Sequence, residues 1–176
     1  MMANRRGRRR AADAKKGNSP AGPRSQPGGS GAKWLQVLDE MPEIPPGSVK
    51  VVSGKYQEED KFFTLAAHGG RLFAVSEGCG RCQFPLINGK VKTLDESGKA
   101  QDIVPGVEED PDSEVAISCP LCGAVFNMGT GDVVGEQPEG IAQGFMSKLL
   151  SQKVAERVKP YDARLLSTGE VIIRVA

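Results

Sequence analysis

The chain has 176 residues, 39% of them hydrophobic and 26% charged, with a formal net charge of +1. That is the composition of one ordinary globular domain with room for a core. No stretch approaches the roughly 18 apolar residues of a membrane-spanning helix. Four cysteines, with no apolar signal segment before them, exclude a disulfide-dense secreted scaffold and suit a reducing compartment.

The small net charge conceals a split. Residues 1–32 carry eight arginines and lysines against Asp13 alone, a charge of +7, which leaves the rest of the chain at −6. The arm passes from an arginine cluster into a Gly/Pro/Ser run from Asn18 to Gly31 with little to bury, so a disordered basic arm is expected over 1–32. An organelle transit peptide is the first reading of such an arm. A solvated tail or an RNA-binding arm are its rivals.

Residues 33–176 are expected to form one domain, mainly β. Residues 34–38, the turn around Pro45-Pro46-Gly47 and the strand 48–52 open it. A hairpin follows, 62–66 and 71–75 around His68-Gly69-Gly70. Short strands separated by Gly and Pro, with no helical periodicity before Gly140, argue for a small antiparallel sandwich or barrel.

All four cysteines lie in two like pairs, Cys79-Gly80-Arg81-Cys82 and Cys119-Pro120-Leu121-Cys122. A C-x-x-C turn presents two thiolates together, and two such turns supply the four sulfurs that zinc or an iron–sulfur cluster takes. Two disulfides, a redox dithiol or reduced core thiols would use the same residues. Between the pairs, residues 91–117 are rich in Asp and Glu, and a solvated acidic insertion is expected there. It lacks the spacing of a calcium loop and reads as a surface for a basic partner.

After the second pair come a strand at 123–126 and a turn at Gly129-Thr130-Gly131. A helix over about 141–158 is expected from the stripe Ile141, Phe145, Leu149, Leu150, Val154 and Val158, packed on the β body through Phe145 and Leu149. Pro160 closes it, and a hairpin of 164–166 with 171–175 ends the chain. No nucleophile–base pair, phosphate loop or carboxylate dyad supports stand-alone catalysis, and no small-molecule substrate is indicated.

The order of these features resembles a Rieske iron–sulfur domain. The residues that carry the resemblance are a cysteine loop followed by Pro85-Leu86 and Gly89, the loop from Cys119 to Gly123, then Phe126 and Thr130-Gly131-Asp132, and a closing strand pair. By that resemblance Cys79 and Cys119 occupy the two cysteine positions, while Arg81 and Cys122 stand where the family has histidine. Only His68 exists, at a hairpin tip where a polar turn residue is expected, so a His₂Cys₂ Rieske centre is excluded by count. What the resemblance implies instead is a [2Fe–2S] cluster on Cys79, Cys82, Cys119 and Cys122, Cys82 replacing the lost histidine. The two added thiolates would lower its potential toward the plant-type value of about −400 mV. Arg81 is expected to bind at the cofactor by donating to a sulfur. Zinc on the same sulfurs, or a metal-free interaction module, are the alternatives. Within the family the chain is most similar to plastid Rieske-like proteins of thylakoids. This implies an electron carrier or accessory subunit with photosystem II as partner, in the chloroplast; that group anchors through a membrane helix after the domain, and the expectation here departs from it, with no membrane span in this chain.

Overall fold

Gly69 and Gly70, at φ of 55° and 72°, occupy the left-handed conformation that a two-residue hairpin turn demands and that glycine adopts without steric cost. They join β3 (Glu59–His68) to β4 (Arg71–Ser76), the hairpin at the centre of the molecule. In the computed structural model, which describes residues 32–104 and 110–175, ten further strands surround it. They are β1 (Lys33–Leu38), β2 (Lys50–Tyr56), β5 (Lys90–Leu94), β6 (Ala100–Asp102), β7 (Glu114–Ser118), β8 (Ala124–Asn127), β9 (Val133–Glu136), β10 (Pro160–Tyr161), β11 (Ala163–Leu165) and β12 (Val171–Val175). Among the described residues there is one α-helix, α1 (Gly140–Leu149), and a short 3₁₀ turn at Leu86–Asn88. The basic arm expected over 1–32 falls outside the described residues apart from Ala32.

The protein is mainly β, as its turn-rich sequence predicts, and every strand pair is antiparallel. Three sheets form, ordered β1-β12-β11, β10-β4-β3-β2 and β6-β5-β7-β8-β9. The four-stranded sheet is buried on both faces, which is why β3 reads as an apolar run without alternation. Val52, Phe63, Leu65 and Ala74 pack with Val171, Ile173 and Val175. On the opposite face Ala66, Phe73 and Val75 pack with Val91, Val115, Ile117, Phe126 and Met128, in a cluster that includes Cys79, Cys119 and Cys122. Strand alternation sends 63 and 65 one way and 66 the other, so one hairpin serves two cores.

Three expectations change here. The described parts of 91–117 form no solvated insertion, residues 105–109 lying outside them: β5 and β7 pair from Lys90 with Ser118 to Leu94 with Glu114, and Val91, Val115 and Ile117 are enclosed. Two of its carboxylates, Asp95 and Glu114, shape structure. Asp95 accepts the backbone N–H groups of Ser97 and Lys99 and so forms the β5–β6 turn, and Glu114 accepts Asn127 Nδ2 at 2.8 Å. His68 is buried at the end of β3, its Nε2 2.9 Å from Ser113 Oγ, and is no exposed turn residue. The helix stops at Leu149, and none of its residues is buried. Ile141 is 94% exposed and Phe145 and Leu149 are 66% exposed, so these three positions of the predicted stripe face away from the body. Residues 151–158 run on as an irregular strap; beyond the helix Val158 enters the core, and Leu150 and Ala155, partly buried, pack against it.

Candidate metal centre

Each cysteine pair is built the same way. In the first, which links β4 to the 3₁₀ turn, Cys79 N–H donates to Phe84 O at 2.9 Å and Gln83 N–H donates to Cys79 O at 3.0 Å. In the second, between β7 and β8, Cys119 N–H donates to Ala124 O at 2.8 Å and Gly123 N–H donates to Cys119 O at 3.0 Å. The bonds join equivalent positions in both loops, and the residue after each second cysteine is left-handed, Gln83 at φ 62° and Gly123 at 70°. Glycine meets that demand freely in the second loop. Gln83 carries a cost of about 1–2 kcal/mol in the first.

Both loops are also strapped from outside. Glu156 N–H donates to Gly80 O at 3.0 Å, and Gln137 N–H donates to Gly123 O at 2.8 Å. The straps approach so closely that a Cβ on Gly80 would collide with the Glu156 carbonyl, and one on Gly123 would press on Pro138. Close approach is therefore the reason for glycine inside the first motif and directly after the second.

The result brings together all four predicted cysteines. Their sulfurs lie within 4.8 Å of one another, with Cys79 Sγ 3.7 Å from Cys122 Sγ and Cys82 Sγ 3.6 Å from Cys119 Sγ. The nearest neighbours thus belong to different loops. Cys79, Cys119 and Cys122 are buried and Cys82 is half-buried. A tetrahedral ion with metal–sulfur bonds of about 2.3 Å sets its ligand sulfurs about 3.8 Å apart, close to both distances. The cluster can hold a metal ion.

Its protonation is uneven. The Cys119 thiol beside it holds Cys79 down to about 5, helped by the backbone N–H groups of Cys82 and Arg81 and opposed by burial. Arg81 N–H lies 3.4 Å from Cys79 Sγ. The same contact with Cys79, together with burial, pushes Cys119 up, and burial pushes Cys122 up to about 12. Without a cation the pocket therefore keeps Cys79 as a thiolate beside protonated Cys119 and Cys122; a bound cation would favour thiolate ligands.

Arg81 does not donate from its side chain to a sulfur, contrary to expectation. Its guanidinium is 3% exposed and turns toward the helix, pairing with Glu136 Oε2 at 2.6 Å and donating to Leu150 O at 2.9 Å and Lys153 O at 3.2 Å. A buried permanent cation needs a carboxylate and hard oxygen acceptors, which the end of a helix provides better than thiolate sulfur. Ser147 Oγ donates to the same Glu136 carboxylate at 2.6 Å, and that bond, followed by Arg81, lowers the Glu136 pKa. Gln143 Nε2 donates to Pro120 O in the second loop at 2.9 Å. The helix thus rests on both cysteine loops by its polar face.

Glu136, Gln143 and Ser147 escape a reading based on apolar spacing, since a helix periodicity shows which residues share a face but not which face turns inward. Lys92 escapes it too. Its ammonium is buried on β5 and pairs with Asp102 at 2.7 Å and Glu139 at 2.8 Å; burial opposes its charge, but those carboxylates outweigh the burial and raise its pKa. Lys90 shares Glu139, which fixes the residue just before the helix. The sequence matches no known protein-family model and no curated protein.

Proposed function

We propose that this chain is a Rieske-like metal–thiolate domain in which Cys79, Cys82, Cys119 and Cys122 hold a single tetrahedral ion, zinc before iron, and that it works as an accessory subunit and not as an enzyme. The observation that carries the reading is the mutual closeness of the four sulfurs, all within 4.8 Å. One ion touches all its ligands. A [2Fe–2S] cluster sets two irons and two bridging sulfides between its ligand pairs and keeps those pairs farther apart. Zinc suits a closed all-thiolate site with no vacant position, and its binding energy adds directly to folding.

A second reading keeps the cluster and electron transfer. It is favoured by the Rieske-like flanks Pro85-Leu86 and Thr130-Gly131-Asp132, and it requires the two loops to part. The resemblance to plastid Rieske-like proteins makes photosystem II in thylakoids the first partner to test, by co-migration with the complex in native gels.

The deciding experiment is metal and sulfide analysis of protein purified without oxygen from cells that assemble clusters. One zinc per chain, no visible absorption and loss of the metal in Cys119→Ser would support the first reading. Two irons with two sulfides and a visible spectrum would defeat it in favour of the carrier. Stoichiometric absence of any metal, with four titratable thiols, would defeat both.

A further inference from the structure

We infer that the outward face of α1 docks on an anionic lipid surface. The helix holds its polar side toward the protein through Gln143, Ser147 and the carbonyl of Leu150, where Arg81 binds. It therefore leaves Ile141, Phe145 and Leu149 side by side in water, one turn apart, and Val154 beyond the helix is 84% exposed. Exposed apolar groups in such a row mark a contact site.

Charge selects the occupant. From Gly140 to Ala155 the chain contains no Asp or Glu, while Lys148 and Lys153 are both exposed beside the apolar row. This cationic, apolar segment sits on a body whose net charge is −6, so its complement is anionic and accepts apolar side chains. The arm over 1–32 repeats the positive charge and has little to bury, and a second copy of the helix presents the same lysines. An anionic bilayer supplies both requirements without a shaped groove: phosphates for the lysines, and acyl chains for Phe145 and Leu149.

The basic arm could itself bind anionic vesicles, so sedimentation alone would not test the helix. Phe145→Trp in the full chain places a reporter on the row, to be read against the emission of Trp34 in the parent. With phosphatidylglycerol vesicles the added emission should shift to shorter wavelength and be quenched by brominated acyl chains. With phosphatidylcholine it should do neither. Adding Lys148→Glu and Lys153→Glu should weaken the response at least tenfold, with circular dichroism unchanged.

Protein bound to the vesicles without quenching would overturn the inference and assign binding to the arm. No response with any vesicle would overturn it in favour of a protein groove. Self-association in solution that is lost in Phe145→Ser/Leu149→Ser would make a second copy the occupant.

Discussion

Replacing Arg81 by methionine tests the structure at the point where the metal loops meet the helix. Methionine keeps an unbranched apolar stem but removes every side-chain donor. Three contacts go: the pair with Glu136 and the bonds to Leu150 O and Lys153 O. Glu136 is 42% exposed and rehydrates, so the larger loss of about 3–5 kcal/mol expected when a wholly buried pair is broken does not apply. Lys153 is exposed and its carbonyl can turn to water, whereas Leu150 is partly buried and keeps an unpaired acceptor. With about 1.5–3 kcal/mol for a charge-assisted bond to a carbonyl left dry, the total comes to about 2–3 kcal/mol. In a domain of this size that lowers the melting temperature by roughly 8–12 °C. The assay is thermal unfolding of metal-loaded protein, with amide exchange followed over residues 140–150. Faster exchange there should accompany the lower melting point, while the metal content stays the same. A variant that melts within 2 °C of the parent, with α1 as protected as before, would refute the account of Arg81 as the tie between loop and helix.

Two further outcomes follow from burial and protonation. Phe145→Ala should change stability by no more than about 0.5 kcal/mol, because its ring is mostly in water, whereas Phe126→Ala, fully enclosed beside the sulfurs, should cost about 3–5 kcal/mol in denaturant unfolding. Metal affinity, measured by competition with a chelator of known proton dependence, should rise with pH. Cys79, at about 5, is already a thiolate between pH 6 and 8, but Cys119 and Cys122 are pushed up and each must lose a proton. Two protons released imply at least about a hundredfold gain in affinity per pH unit, and a flat profile would contradict the arrangement.

The features legible in the sequence are those in which a residue type answers one physical demand. Gly69-Gly70 announces a hairpin because two consecutive left-handed residues suit little else. The paired C-x-x-C loops announce four convergent sulfurs for a similar reason. The β2–β3 turn is hidden because Gln57 and Glu58 take the left-handed conformation at φ 53° and 69° although neither residue type signals it. Composition misled at 91–117: Asp95 builds a turn, and Asp102 and Glu114 bind side chains of neighbouring strands, around the apolar positions of β5 and β7. The helix misled more deeply. Its spacing is correct to Leu149, but Arg81 and the Pro120 carbonyl, one from each cysteine loop, decide which side faces in.

The pairing of β1 with β12 places Lys33 directly opposite Val175. Partners in an antiparallel ladder have Cα atoms about 4.5–5.5 Å apart, so the folded body can be grasped at both extremities as if by a single stalk. A short loop of a few residues could join these positions and new ends could be opened at an exposed turn such as Gly98. Equally, the whole body could be spliced into a surface loop of a host protein with its cysteine loops undisturbed. Pulling on the two extremities would unzip β1 from β12 one residue pair at a time, starting at the outermost rung, because force applied at a shared edge loads the ladder's hydrogen bonds in succession and not all together.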